Sequence, residues 1–223
     1  MRVAAIAVAA GRGERLGQAR PKALVPVAGR SLLGHAVAAL AACERVDAVV
    51  PVLPPGCAVP GDAEHPKCLP AVVGGERRQD SVLAGLAALP ASVEWVAVHD
   101  AARALLRPEA VTRVIEAAER HGAALLALPL RDTLKRVEDG RVLETPPREA
   151  YWLAQTPQVF RVRVLREALE KARAEGRTAT DCAALVEACG VAVSVVRGDA
   201  DNLKITWPED LAAAERILAE RSR

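Results

Sequence analysis

A glycine-rich stretch, Ala9-Ala10-Gly11-Arg12-Gly13-Glu14-Arg15-Leu16-Gly17, follows an apolar run from Val3 to Val8, and Pro21-Lys22 comes shortly after it. Glycines this dense permit a tight turn and let the backbone approach a ligand closely. Bare N–H groups in such a turn can hold phosphate oxygens, with Arg15 and Lys22 adding positive charge beside them. The same residues also read as an ordinary strand-to-helix turn with basic neighbours. A dinucleotide-binding turn fits poorly. The third glycine comes one place late, Pro21 would break the helix, and no carboxylate stands near Arg30 and Ser31, where a ribose partner belongs. No G-x-x-x-x-G-K-[ST] occurs, so a Walker A loop is excluded. A nucleotidyltransferase loop fits better: glycines wrap a nucleoside triphosphate and a lysine after a proline neutralises its phosphates.

Three further constellations carry chemistry. His99-Asp100-Ala101-Ala102-Arg103 closes an apolar run, and open α/β sheets bind ligands at the carboxyl ends of their strands. There Asp100 can help position Mg²⁺ and Arg103 can grip a phosphate bidentately; an Asp–Arg ion pair closing the strand is the alternative. Gly74-Gly75-Glu76, with Ser81, forms a second glycine-rich turn that could read a base edge or be a plain capped turn. Thr180-Asp181 is similarly divided, Thr180 serving equally as a helix cap. The stretch Asp201-Asn202-Leu203-Lys204-Ile205-Thr206 holds the only asparagine and one of five lysines. A chain that writes most of its positive charge as arginine keeps lysine at few places, and a lysine's compact point charge suits phosphate neutralisation. A solvated connecting loop is the other reading.

Strand and helix signals alternate, as in an α/β domain with a mostly parallel sheet. Strands are expected over 3–8, 46–53, 69–73, 93–98, 123–128 and 191–196. Ser31 should cap a helix through Ala42, Asp80 or Ser81 a helix to Leu89, and Thr180 a helix to Cys189. Pro108 and Pro208 open two more helices, and a further one spans Arg163 to Glu175. The alternation breaks from about 132 to 155. Asp139-Gly140 is a type I′ hairpin signal, Pro146-Pro147 follows, and a second extended piece runs around Tyr151 to Gln155, so this region reads as an arm set apart from the sheet.

The 223 residues suggest one large domain carrying that arm. Aromatics are only 2% against 51% hydrophobic residues, so the core must be built from Ala, Val and Leu. A net charge of +2 without basic runs or aromatic ladders argues against nucleic-acid binding. No apolar stretch approaches a membrane span, and the N-terminus does not read as a signal peptide. The cysteines (43, 57, 68, 182 and 189) are odd in number and form no C-x-x-C; Cys182 and Cys189 would lie about 10 Å apart on one helix, too far to bridge. Reduced thiols and a cytoplasmic setting follow.

Taken in order, these motifs resemble the 2-C-methyl-D-erythritol 4-phosphate cytidylyltransferase family of the non-mevalonate isoprenoid pathway. The resemblance adds Asp80-Ser81-Val82-x-Ala84-Gly85-Leu86, Arg131-Asp132-Thr133-x-Lys135-Arg136, Thr156-Pro157-Gln158 and Thr206-x-Pro208-Glu209-Asp210-Leu211, and runs from residue 9 to 211. It implies a Rossmann-like, GT-A-like nucleotidyltransferase sheet, a β-arm at about 132–155 that interlocks a homodimer, and Mg²⁺-dependent transfer of CMP from CTP. Arg15 and Lys22 would stabilise the transition state at the α-phosphate. Arg148 and Lys204 would position the attacking polyol phosphate. Asp100, Arg103, Thr133 and Thr180 would line the substrate, and Ala10, Gly11, Gly13, Gly75, Glu76 and Ser81 the nucleotide. Three residues depart from the family pattern: Ala104 stands where Pro is usual, Cys182 where Glu is expected, and Trp207 where Arg is common. Relatives that make CDP-ribitol share most of these motifs, so ribitol-5-phosphate cytidylyl transfer is the nearest alternative. A non-catalytic nucleotide-binding module is the more distant one.

Overall fold

The apolar runs become the inner strands of one seven-stranded sheet in the computed structural model, which describes residues 2–11, 13–17 and 20–221. Arg12 of the glycine-rich stretch lies outside the described residues. In chain order come β1 (Val3–Val8), a small hairpin of β2 (Pro26–Val27) and β3 (Arg30–Ser31), α1 (Leu32–Ala42), β4 (Ala48–Leu53) and β5 (Val72–Val73). Next are α2 (Arg78–Ala87), β6 (Trp95–Asp100), α3 (Pro108–His121) and β7 (Ala123–Pro129). An exposed hairpin of β8 (Arg136–Glu138) and β9 (Arg141–Glu144) precedes β10 (Trp152–Arg161), α4 (Val162–Ala174), α5 (Cys182–Glu187), β11 (Ser194–Arg197) and α6 (Pro208–Arg221). The sheet order is β11-β7-β10-β6-β1-β4-β5, and only β10 runs antiparallel to its neighbours.

Register decides what emerges where. Val8, the last residue of β1, pairs with Asp100 on one side and Val52 on the other. The glycine-rich stretch, Asp100 and the chain after β4 therefore leave the sheet along one carboxyl edge. Helices α1 and α3 cover one face over Val3, Ala5 and Ala7, while α2, α4 and α5 cover the other over Ile6, Val50 and Phe160. A Cβ on Gly85 of α2 would come within 2.7 Å of Ile6, so this helix packs directly on β1 because it lacks a side chain there. A third cluster joins Leu16, Val25, Leu105, Ile205 and Ala214. Burying an aliphatic side chain contributes about 1.5–3 kcal/mol. Leu16 and Ile205, each next to a basic residue, thus lock two otherwise polar loops to one another.

Several boundaries differ from the sequence reading. Helix α2 begins earlier: Arg77 is its N-cap, and Asp80 sits inside the first turn, its carboxylate accepting from the Arg77 N–H at 3.2 Å. The cap of α5 is Asp181, not Thr180; its Oδ1 accepts from Ala184 N–H at 3.0 Å. Of the expected 69–73 strand only Val72–Val73 forms a ladder, with one bridge from Val49 to Cys68. Asp139 and Gly140 both take positive φ, as a type I′ turn requires. The largest difference is β10. The extended piece beginning at Trp152 does not end with the arm but continues into the sheet, between β6 and β7. Its register shifts between Ala154 and Gln158, which admits Pro157 where an unbroken central strand would not. Among the described residues no helix is long and apolar enough to cross a membrane.

Candidate active site

At the carboxyl edge of β1, β4 and β6 the chain leaves a cavity of about 250 Å³, lined by both glycine-rich turns. Gly13 has φ +71°, and a Cβ there would lie 2.3 Å from Lys22 Cβ, so the turn closes directly against that lysine. A Cβ on Gly74 would meet Ala10 at 2.4 Å and Ser81 Oγ at 2.7 Å. The two turns approach this closely only because that position carries no side chain.

Among the described residues, five cationic side chains line the cavity (Arg15, Lys22, Arg77, Arg78 and Lys204) against two carboxylates, Glu76 and Asp100. The N-terminus of α2 adds its partial positive charge. Such a surface is built for a polyanion. Asp100 is 8% exposed. It accepts from Arg78 Nε at 2.9 Å and from Lys204 Nζ at 2.8 Å. Burial alone would raise its pKa, but Arg78 and then Lys204 outweigh burial and hold the carboxylate below the ordinary range. Lys22 goes the other way: burial first, then the neighbouring charges of Lys204 and Arg15, lower its pKa from 10.5 to about 8.

Behind the cavity, neutral polar groups set the geometry. Asp100 N–H donates to Thr156 Oγ1 at 3.0 Å, and that hydroxyl lies 3.0 Å from His99 Nδ1. The Arg103 carbonyl, 3.2 Å from His99 Nε2, can only accept, so in the neutral ring Nε2 carries the proton and the Thr156 hydroxyl donates to Nδ1. Burial keeps this imidazole neutral, its pKa lowered to about 4. Asn202 Nδ2 donates to the Thr156 carbonyl at 3.0 Å and Ile205 N–H to the Ala102 carbonyl at 2.9 Å, fixing the segment that presents Lys204.

Of the residues singled out in the sequence, Ala10, Gly11, Gly13, Arg15, Lys22, Gly75, Glu76, Ser81, Asp100 and Lys204 come together on this cavity. Arg103 does not reach it. Its terminal nitrogens donate to the carbonyls of Asn202 (2.7 Å) and Ala154 (3.1 Å), so it braces two loops instead of presenting a fork to a phosphate. The alternative Asp100–Arg103 pair does not form either; Asp100 pairs with Arg78 instead. Thr180 is exposed beyond the cavity, and so are Thr133 and Arg148, the last bonded to the Arg131 carbonyl near the arm hairpin. Sequence reasoning missed Arg78. Its signal was its place as the first residue of a helix opened by Gly74-Gly75, overlooked because the helix was started at Asp80 or Ser81.

Residues 3–220 match the family model for 2-C-methyl-D-erythritol 4-phosphate cytidylyltransferase. The chain belongs to this family. The cytidylyltransferase of that name from Pelotomaculum thermopropionicum is 44% identical over 227 residues, covering 99% of this chain and 95% of that protein. The one from Chromobacterium violaceum is 47% identical, covering 97% and 98%. The crystal structure of the Thermus thermophilus cytidylyltransferase is similar with a TM-score of 0.82 at 40% identity, covering 98% of this chain and all of that one. The three departures from the family pattern fall in distinct places. Ala104 is buried in the third cluster. The Cys182 thiol is buried, with its pKa raised by that burial, and accepts from Arg78 Nη1 at 3.3 Å. Trp207 lies against Arg15, whose guanidinium carbon is 5.7 Å from the ring centroid.

Proposed function

We propose that the protein transfers CMP from CTP to 2-C-methyl-D-erythritol 4-phosphate, releasing pyrophosphate. The observation that carries this reading is the glycine-walled cavity ringed by cationic side chains, Arg15, Lys22, Arg77, Arg78 and Lys204, in a chain of this family. A phosphate oxygen of the polyol phosphate attacks the α-phosphorus of CTP. The bond from that phosphorus to the α,β-bridging oxygen breaks, and pyrophosphate leaves with its electrons. A phosphate monoester is already a nucleophile at neutral pH, so positioning and charge neutralisation suffice. Arg15 and Lys22 stand at the glycine turn to take up charge developing on the α-phosphate and leaving group. Lys204, aimed by Asp100, stands to receive the incoming phosphate.

Among the described residues no three His, Cys, Asp or Glu side chains cluster as a metal cage. That donor set fits Mg²⁺ carried in by substrate phosphates, with Asp100 as its one buried protein carboxylate. A bound Mg²⁺ would neutralise triphosphate charge. We further propose a homodimer formed through the arm. Val137, Val142, Leu143, Tyr151, Trp152 and Leu153 are all exposed there, and a second copy of the chain would cover them while bringing Thr133 and Arg148 to the neighbouring cavity. Five free cysteines support a cytoplasmic setting.

The reading is tested by pyrophosphate release with Mg²⁺, each of CTP, ATP and GTP, and either 2-C-methyl-D-erythritol 4-phosphate or ribitol 5-phosphate. A site that hydrogen-bonds one base rejects others by several orders of magnitude, because its polar groups are left unpaired. CTP should win by on the order of 10³-fold or more in kcat/KM. Comparable ATP turnover would point to a broader nucleotidyltransferase, and faster ribitol 5-phosphate turnover to the other polyol.

The lowered pKa of Lys22 gives a pH prediction. The free protein loses this charge as pH rises through about 8. Triphosphate binding favours the charged form, so affinity is full below that pH and weakens above it. Calorimetric titration with MgCTP should find a dissociation constant flat near pH 7 that rises by up to about tenfold per pH unit above pH 8. Lys22→Arg should flatten the rise. A wild-type profile without a break would remove Lys22 from the phosphate site.

A further inference from the structure

Trp207 is 48% exposed, outside every core cluster. Its backbone is nonetheless pinned. The N–H groups of Thr206 and Trp207 both donate to Asp210 Oδ2, at 2.7 and 2.9 Å, in the first turn of α6. Three residues earlier Lys204 reaches Asp100, and between them Ile205 is fully buried. The indole thus stands on a rigid segment at the rim of the cavity. Opposite it is Arg15, on the 3₁₀ turn Glu14–Leu16. Among the described residues the Arg15 guanidinium has no hydrogen bond or ion pair, only the Trp207 ring face. A long arginine with no such partner would sample many rotamers.

We propose that Trp207 is a positioning residue for Arg15, holding its guanidinium by a cation–π stack where the triphosphate enters. The inference rests on the cytidylyl-transfer reading of the cavity. A second arginine at this place would repel Arg15. The indole attracts it, leaves its N–H edge free for phosphate or water, and ties the loop bearing Arg15 to the segment bearing Lys204.

The experiment measures MgCTP dissociation constants by calorimetry, and pyrophosphate release with the polyol phosphate, for wild type, Trp207→Ala, Trp207→Phe, Arg15→Ala and the Arg15→Ala/Trp207→Ala double variant. An exposed cation–π stack corresponds to about a two- to fivefold change in affinity. Trp207→Ala should therefore weaken MgCTP binding by about that factor, and Trp207→Phe, which keeps a ring face, should recover most of it. In the Arg15→Ala background the same truncation should change nothing, since its target is gone. Three results would overturn the inference: undiminished binding by Trp207→Ala, an equal loss in both backgrounds, or no recovery with phenylalanine. Wild type that neither binds MgCTP nor releases pyrophosphate would overturn the cytidylyl-transfer reading, and this inference with it. Active wild type with an unaffected Trp207→Ala overturns the inference alone.

Discussion

Lys22→Ala is expected to lose at least about 10²-fold in kcat, roughly 3 kcal/mol of transition-state stabilisation, and to fold as well as wild type. Lys22 follows Pro21 into a short 3₁₀ turn, Lys22–Leu24, whose packing comes from Ala23 and Val25 rather than from the lysine. The amine itself is held at a disadvantage: burial and the nearby charges of Lys204 and Arg15 lower its pKa from 10.5 to about 8. Between those values the unfolded chain binds a proton that the folded chain has released, so this group's contribution to stability rises with pH across that window. At neutral pH its charge opposes folding, and removing it relieves the cost of burying the charge first and the repulsion from Lys204 and Arg15 second. A charge held where it weakens the fold, at the wall of a cavity, is what a phosphate-binding role for Lys22 requires. The measurements are a thermal melt and single-turnover pyrophosphate release. A melt at or slightly above wild type with turnover down by at least that factor is the expected pair. Near-normal kcat in a well-folded variant would remove Lys22 from the chemistry.

The elements that were legible in the sequence are those whose burial is one-dimensional. β1 is an unbroken apolar run, α1 has its serine cap, and α3 lies between Pro108 and Gly122; each appears where its pattern placed it. β10 was not legible beyond its first residues. The expected extended piece stops at Gln155, and Thr156-Pro157-Gln158 beyond it has no apolar pattern, yet Gln155, Thr156 and Gln158 are all buried. What makes that possible lies far along the chain: Gln158 accepts from the N–H groups of Cys182 and Ala183 and donates to Asp181, and Gln155 donates to the Asp199 carbonyl. Local pattern carries no trace of partners 23 to 44 residues away. The site divided on the same line. Glycine turns and scarce lysines marked the cavity, because phosphate binding needs particular residue types at particular turns. Arg78 is one arginine among many until the fold sets it beside Asp100. Arg103 looked like a phosphate clamp because the carbonyls that occupy it, from Ala154 and Asn202, are invisible in sequence.

Activity is expected to reappear when two inactive subunits are combined, one carrying Lys22→Ala and the other Arg148→Ala. Lys22 lines its own subunit's cavity. Arg148 is exposed outside that cavity, in a short turn between the β8–β9 hairpin and β10. A two-stranded hairpin is marginal in water by itself, and both strands of this one are exposed along their whole length, Val137, Val142 and Leu143 included. A second subunit that covered the arm would receive Arg148 at its own cavity. Each homodimer would then carry one lesion in every site and be inactive. In the mixed dimer one site would carry both lesions and the other none, because Lys22 and Arg148 of a given site would come from different chains. With independent sites, turnover should return to about half the wild-type level per dimer. If the arm instead folds back on its own subunit, every site of the mixture keeps one lesion and no activity returns. Co-purification through two different affinity tags establishes that the measured species is the mixed dimer. An inactive mixed dimer so purified would reject the shared site, whereas recovery near one half requires that Arg148 act across the interface.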